Sequence, residues 1–169
     1  MFAILETERL ALREMEIQDL DFVAAMLAHA EVMRHYPKCC TREEAETWVR
    51  RQIDRYALHG HGLWLAVERG SGEPVGQVGL VMQEVAGFEE PEIGYLIHHP
   101  FWRRGYASEA ALGVRDAAFG LFGYPRVISL IRPVNLPSQA VARKLGMEPG
   151  ETTLFHGLEH IVFSVSRPD

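Results

Sequence analysis

The segment from Gly94 to Ala110 restricts the possible folds of the chain more than any other. It reads as an apolar strand, a short loop that contains Arg103, Arg104 and Gly105, and the start of a helix. In such an arrangement the loop amides and the first helical amides point the same way, and the helix dipole adds partial positive charge. Gly105 lets the backbone approach an anion closely, and the arginines can add charge-assisted hydrogen bonds. The segment therefore predicts a diphosphate site; the simpler alternative is a turn glycine beside solvated arginines.

The composition predicts one globular domain over residues 1–169. The chain is 47% hydrophobic and 24% charged, and a domain of this length buries roughly two-thirds of the surface that its unfolded chain exposes. The two cysteines, Cys39 and Cys40, are adjacent and form no disulfide framework. The sequence shows neither a signal-peptide pattern nor a long apolar run. We therefore expect a cytoplasmic protein with no membrane partner.

The charge and the histidines argue against two other classes of protein. The formal net charge of −6 disfavours a nucleic-acid partner, because proteins that bind nucleic acids usually carry a net positive charge. The arginine pairs at 50–51 and 103–104 are only local concentrations of positive charge. The histidines at 59, 61, 98 and 99 lack the spacing of typical zinc sites. We therefore expect no nucleic-acid partner and no metal.

Hydrophobic periodicity predicts strands and helices in a mixed order. Thr41 and Glu44 have the spacing of a capping box at the start of one helix, which Gly60 and Gly62 end. An acidic loop is predicted at 83–92, where it could attract a cationic ligand. The order predicts an α+β or mixed-sheet α/β fold. Strands are predicted at 8–15, 63–68, 75–82, 92–98, 126–131, 152–155 and 160–165, and the other helices at 19–29, 107–122 and 138–145.

Four segments together resemble the GNAT N-acetyltransferase superfamily, and most of all its ribosomal-protein N-terminal (alanine/serine) acetyltransferase branch. The segment 100–110, Pro-Phe-Trp-Arg-Arg-Gly-Tyr-Ala-Ser-Glu-Ala, resembles the acetyl-coenzyme A pyrophosphate loop of that family. Residues 6–13 are similar to the first strand of the branch and residues 92–95 to its fourth. The segment 135–147 resembles the next part of the family that contacts the cofactor. The order and spacing of the segments make the resemblance specific.

The resemblance implies the GNAT fold, in which a mostly antiparallel central sheet is flanked by helices and splayed between its fourth and fifth strands. Here these are the predicted strands at 92–98 and 126–131. The pantetheine arm of acetyl-CoA would lie between them, with its pyrophosphate over residues 103–108. An amide near 96–98 would polarise the thioester carbonyl. The cofactor-binding residues implied are Leu96, Ile97, His98, Arg103, Arg104, Gly105, Tyr106, Ala107, Ser108, Asn135 and Ser138.

The resemblance also implies transfer of an acetyl group to a primary amine by direct attack on the thioester. The α-amine of a protein or peptide is one candidate acceptor. Because such amines are mostly protonated near neutral pH, a base must take a proton first. We expect Glu92 to be this base, with Glu84 and His98 as second choices. Glu92 can serve only if its face of the strand is the open one; otherwise it is a solvated edge carboxylate.

Ser138 and Asn135 are the candidates for protonating the leaving thiolate and for binding the pantetheine or the acceptor. Many family members use a tyrosine as proton donor at the position that Ala142 occupies, so we expect Ser138 to supply the proton to the thiolate. Asn135 would bind the pantetheine or the acceptor, and the ordinary alternative for Ser138 is a helix N-cap. The missing tyrosine leaves open an acetyl-CoA-binding sensor with little turnover. The acceptor, the acyl length and a possible homodimer also stay open.

Overall fold

The structure, a computed structural model, describes residues 2–169, in which eight strands form one sheet and four α-helices cover it. The strand order is β1-β2-β3-β4-β5-β6-β8-β7, and only the β5–β6 pair is parallel. The predicted mixed, mostly antiparallel sheet flanked by helices is confirmed. The strands are β1 (Leu5–Glu6), β2 (Leu10–Arg13), β3 (Leu63–Glu68), β4 (Pro74–Val85), β5 (Phe88–Ile97), β6 (Arg126–Ile131), β7 (Glu148–Phe155) and β8 (Leu158–Ser166), and the helices are α1 (Leu20–Ala28), α2 (Arg42–His59), α3 (Tyr106–Gly120) and α4 (Leu136–Lys144).

Helix α2 begins and ends where its sequence signals predict. The Thr41 hydroxyl accepts a hydrogen bond from the Glu44 amide at 3.2 Å, and the Glu44 carboxylate accepts one from the Thr41 amide at 2.8 Å. Gly60 ends the helix in the left-handed conformation with a φ of 74°, which costs glycine little. None of the helices in the part of the chain that the structure describes is long and apolar enough to cross a membrane.

The two faces of the sheet carry separate apolar cores. Helices α1 and α2 cover one core, which includes Leu65 and Val81, and helix α3 covers the other, which includes Trp64 and Ile93. Side chains alternate along a strand, so successive residues of β5 belong to different faces. Leu96 packs against the α1/α2 core. Glu92, Gly94 and Leu96 therefore face α1 and α2, while Ile93, Tyr95 and Ile97 face α3 and α4.

The prediction of an acidic loop at 83–92 is wrong. Strands β4 and β5 continue through this segment, and only Ala86 and Gly87, with φ values of 51° and 84°, form the turn. Two-residue hairpin turns require such positive φ values because their twist then matches that of the strands. Glu84 and Glu89 are directly opposite each other on the ladder. The sequence Glu-Glu-Pro concealed the strand because these residues are depleted in strands.

Strands β5 and β6 pair over a very short distance. Their register contains only the pair Glu92 and Ile128, whereas β4 and β5 pair from Gly76 opposite Ile97 to the hairpin turn. Because the structure has an additional short strand, β1, before the first predicted strand, the fourth and fifth predicted strands are β5 and β6. The predicted splay therefore lies where β5 continues past Glu92 without a partner in register on β6.

Candidate active site

The loop between β5 and α3 presents a row of amides without protein partners. Gly105 is left-handed with a φ of 80°, Arg103 has a φ of 63°, and Tyr106 begins the right-handed helix. Left- and right-handed residues in succession turn neighbouring N–H groups toward one concavity that suits an anion. Across residues 2–169, no protein atom accepts a hydrogen bond from the amides of residues 103–108, and the Glu109 amide is the first to bond, to the Gly105 carbonyl at 3.1 Å. These amides fit the predicted diphosphate.

The two arginines of the loop are exposed and free of carboxylates. Arg104 donates a hydrogen bond to the Pro100 carbonyl at 3.3 Å and lies over the Phe101 ring, 5.4 Å from its centroid. In the described part of the chain neither Arg103 nor Arg104 has a carboxylate within 4.0 Å. Tyr106 differs from them, because its side chain is buried. Tyr106 can therefore contact an anion in the concavity only through its main-chain amide.

A network behind the loop fixes the start of α3, and sequence analysis assigned no role to its members. Arg9 donates hydrogen bonds to the Glu109 carboxylate at 2.7 Å and to the Arg104 carbonyl at 2.9 Å. The Thr7 hydroxyl donates to the same carboxylate at 2.6 Å. Burial acts to raise the pKa of Glu109, but these hydrogen bonds outweigh it and hold the pKa below its ordinary value. The amide row is therefore anchored to β2 and to the turn before it.

The residues of this network lie in two of the segments that resemble the GNAT family. Thr7 and Arg9 belong to the segment 6–13 and Glu109 to the segment 100–110. About a hundred residues separate them in sequence, and nothing in either segment shows that they touch. The guanidinium of Arg9 also lies over the Tyr106 ring, 4.7 Å from its centroid, so the contact extends to the buried face of α3.

The open edge of β5 offers one main-chain donor among the three predicted residues. The His98 amide donates to the Val75 carbonyl of β4 at 2.9 Å. Successive amides of a strand point to opposite edges, so the Leu96 amide also faces β4 and the Ile97 amide faces the gap. The Ile97 carbonyl on that edge accepts a hydrogen bond from the Trp102 indole at 2.7 Å. Of the predicted residues 96–98, only Ile97 therefore has an amide that could polarise the thioester carbonyl.

Glu92 lies at the point where β5 and β6 separate. Its carboxylate accepts a hydrogen bond from the Leu130 amide of β6 at 3.3 Å. Burial raises the pKa of Glu92 to about 7 from an ordinary value of 4.5, even though hydrogen bonds from Gln83 and Leu130 and the charge of Arg55 act to lower it. A carboxylate with such a pKa changes protonation state near neutral pH, as a general base should.

The second choices for the base are placed less favourably. Glu84 faces α3, on the opposite side of the sheet from Glu92. His98 directly follows the last residue of β5, Ile97. Its ring packs edge-on against Phe22 and His29, each 5.7 Å away, and burial lowers its pKa. In the described residues no group of three His, Cys, Asp or Glu side chains is arranged to hold a metal ion.

Ser138 makes a reciprocal contact across the gap. Its hydroxyl donates to the Tyr95 hydroxyl at 3.1 Å, and the Tyr95 hydroxyl donates to the Ser138 carbonyl at 2.7 Å. Burial raises the pKa of Tyr95, so the phenol remains protonated. Sequence analysis missed Tyr95. The pair links β5 to the first turn of α4, beside the end of β6.

The N-cap of α4 is Asn135, so the interpretation of Ser138 as the cap is wrong. The Asn135 side-chain oxygen accepts a hydrogen bond from the Ser138 amide at 3.2 Å, and the helix begins at Leu136 with Pro137 in its first turn. Proline suits this position because a first-turn amide has no intrahelical acceptor. The capping bond uses the Asn135 oxygen and leaves its amide nitrogen as the group that could donate to a ligand.

A sheet that opens between two parallel strands, a row of free amides at its rim and a carboxylate of near-neutral pKa in the gap together define an acyl-coenzyme A-dependent transferase. The sequence profile described as "Acetyltransferase (GNAT) domain" matches residues 9–148. The chain therefore belongs to the GNAT family and is a GNAT N-acetyltransferase.

Similar proteins agree with this assignment. The chain is 33% identical over 149 residues to the uncharacterized protein YkkB of Bacillus subtilis (strain 168), covering 88% of this chain and 87% of YkkB. The acetyltransferase of Agrobacterium tumefaciens str. C58 is 26% identical, with a TM-score of 0.84 and coverage of 99% of this chain and 97% of that one. The ribosomal L7/L12 α-N-protein acetyltransferase RimL, in complex with coenzyme A, has a TM-score of 0.80 over 98% of both chains. At 16% identity it shows the fold alone.

Proposed function

We propose that this N-acetyltransferase moves the acetyl group of acetyl-CoA to a primary amine by direct attack on the thioester. The observation that carries the proposal is the row of free amides at 103–108, which lies at the rim of the gap between β5 and β6. These amides, with Arg103 and Arg104, would hold the diphosphate. Bound there, acetyl-CoA supplies the activated acetyl group, and the side chains in the gap manage the protons.

Glu92 is the base of the proposed reaction. A pKa of about 7 leaves a substantial fraction of the carboxylate ionised at neutral pH. Because Glu92 lies five residues, roughly 16 Å in an extended strand, from the Ile97 amide, the ionised form would take the proton of the ammonium group through water. The Leu130 amide fixes one carboxylate oxygen. The Ile97 amide would stabilise the carbonyl oxygen as it gains negative charge.

Ser138 is the proposed proton donor to the leaving sulfur. The new bond joins the amine nitrogen to the acetyl carbon, and the carbon–sulfur bond breaks. Glu92 accepts the proton that the ammonium group loses to become a free amine, and the second proton, which the nitrogen loses as the amide forms, passes to solvent. The Ser138 hydroxyl protonates the sulfur and regains its proton from solvent. Tyr95 holds the Ser138 hydroxyl in place through the 3.1 Å hydrogen bond.

The cofactor site can be tested with two matched glycine variants. A Cβ added at Gly105 would lie 3.5 Å from the Arg9 guanidinium, an ordinary contact, and one added at Gly120 would meet nothing within 4 Å, but only Gly105 has a positive φ. Gly105→Ala should lose most of the rise in melting temperature that acetyl-CoA gives, because a side chain at this position strains the left-handed backbone that aligns the amide row. Gly120→Ala should keep that rise.

Turnover is then measured as thiol release against a panel of small primary amines and of peptides with free α-amines. We expect release that depends on both acetyl-CoA and an amine. A wild-type protein that acetyl-CoA does not stabilise would contradict the proposed cofactor site. Stabilisation without thiol release for any amine would favour a sensor instead.

A further inference from the structure

The face of the sheet that carries Glu92 also carries unpaired basic side chains. In β6, Arg126, Ile128, Leu130 and the following Arg132 alternate with residues of the α3-side core, so they share the face of Glu92. Arg126 is neutralised by an ion pair with Glu90. Arg132, at the end of β6 nearest the gap, has no carboxylate within 4.0 Å among residues 2–169.

The guanidinium of Arg132 is poorly satisfied by the protein. Its single hydrogen bond is to the His35 carbonyl at 3.5 Å, and its Nε is buried without a partner. An unpaired buried donor of this kind costs about 1–3 kcal/mol. Its charge acts with burial to lower the pKa values of His35 and His160. The hydrogen bond to His35 places the guanidinium beside the α1–α2 connection.

A second arginine lies on the same face. Arg55 projects from α2, and its one side-chain partner is the Gln52 oxygen at 3.3 Å. Burial and the neighbouring Arg51 lower the pKa of Arg55, whereas the charge of Glu92 raises it. The part of the chain that the structure describes has no carboxylate within 4.0 Å of Arg55.

The acidic residues of the hairpin do not balance these charges. Glu84 and Glu89 lie on the α3 face, and Glu90 is already paired with Arg126. Electrostatic complementarity therefore disfavours a polycationic acceptor on the Glu92 face and favours one that carries negative charge. A guanidinium fork suits a carboxylate or phosphate group because it can bind two of its oxygens at once.

We infer that the acceptor is a small primary amine that carries a carboxylate or phosphate group, which Arg132 and Arg55 bind while Glu92 takes the proton of the amine. This inference rests on the proposed function. The two guanidinium groups also favour the neutral form of a nearby amine, because like charges disfavour protonation. The same residues would thus bind the acceptor and help to produce its nucleophilic form.

The test compares acceptors that differ only in the anionic group. The probes are L-phenylalanine, L-phenylalaninamide and phenethylamine for the carboxylate, and phosphoethanolamine against ethanolamine for the phosphate. Thiol release should give a kcat/KM at least tenfold higher for the anionic member of one series, which also tells which anion is preferred. Losing charge-assisted hydrogen bonds in Arg132→Gln should lower that kcat/KM on the order of ten- to hundredfold, mainly through KM.

The controls separate recognition from general damage. Arg132→Lys keeps the charge and should retain part of the preference, and Arg55→Gln tests the same site if Arg132→Gln melts early. Arg50→Gln, on α2 but paired with Glu46 at 2.7 Å, should change nothing. Equal kcat/KM for anionic and neutral amines, unchanged in Arg132→Gln and Arg55→Gln, would overturn the inference and leave the proposed function intact. No thiol release with any amine would overturn both.

Discussion

Replacing Glu92 by glutamine should stabilise the protein at alkaline pH and nearly abolish its activity. Glutamine has the same shape, and its oxygen can still accept the hydrogen bond that the Leu130 amide makes at 3.3 Å. The variant removes only the charge and the ability to take a proton. Its effects on stability and on turnover therefore arise from one group and should have opposite signs.

The stability effect follows from the raised pKa. A carboxyl group whose pKa is higher in the folded protein favours folding below its unfolded pKa, and this contribution is lost as the pH rises through the folded value. Here the unfolded and folded values are 4.5 and about 7. Because one pKa unit corresponds to 1.36 kcal/mol, ionised Glu92 costs about 3 kcal/mol at pH 8. Glu92→Gln should recover up to this amount at pH 8 and gain nothing at pH 4.

The activity effect follows from the loss of the base. General-base catalysis contributes on the order of 10²–10⁴-fold, so kcat/KM should fall by that factor. The wild-type kcat/KM should rise with pH through an apparent pKa near 7, and the variant should lack this rise.

The assays are urea unfolding at pH 4 and pH 8, and thiol release from pH 5.5 to 9 with the best acceptor found. Glu84→Gln is the matched control, since Glu84 belongs to the same hairpin and faces the other side of the sheet. It should alter neither measurement. A Glu92→Gln enzyme with wild-type turnover and the same pH dependence would refute the role of Glu92 as base. An equal change of stability at both pH values would refute the argument that the buried charge is costly.

Two further predictions concern the loop and the proton donor. Glu109→Gln should destabilise the protein by about 1–3 kcal/mol, because an amide cannot accept from Thr7 and Arg9 at both of its ends, and it should raise KM for acetyl-CoA. Since the pKa of Glu109 is lowered, the wild-type advantage in urea unfolding should be present above its ordinary pKa of 4.5 and vanish in more acid solution; an advantage that persists there would contradict the ion-pair explanation. Ser138→Ala should lower kcat with little change in the affinity for acetyl-CoA measured by calorimetry, and unchanged kcat would remove Ser138 from the mechanism.

The sequence predicted the parts of the fold that depend on local signals. The capping box at Thr41, the glycine that ends α2 and the amide row at Gly105 are each encoded within a few neighbouring residues, and the structure contains all three. The prediction of a loop at 83–92 was wrong because pairing between β4 and β5 overrides the weak strand preference of these residues. The contact between Arg9 and Glu109 was missed because tertiary folding alone brings the two together.

Ala142 shows how a local comparison can mislead about a site. The sequence suggested that the chain lacks a phenol at this site because alanine replaces the tyrosine common in the family. Ala142 is fully buried, one helical turn after Ser138, and helical side chains lean toward the N-terminus, so a tyrosine there would extend toward Ser138. Tyr95 packs against the same apolar cluster as Ala142 and brings its hydroxyl to Ser138 from β5 instead. A phenol is therefore present beside Ser138 in this chain, and it comes from β5 rather than from α4.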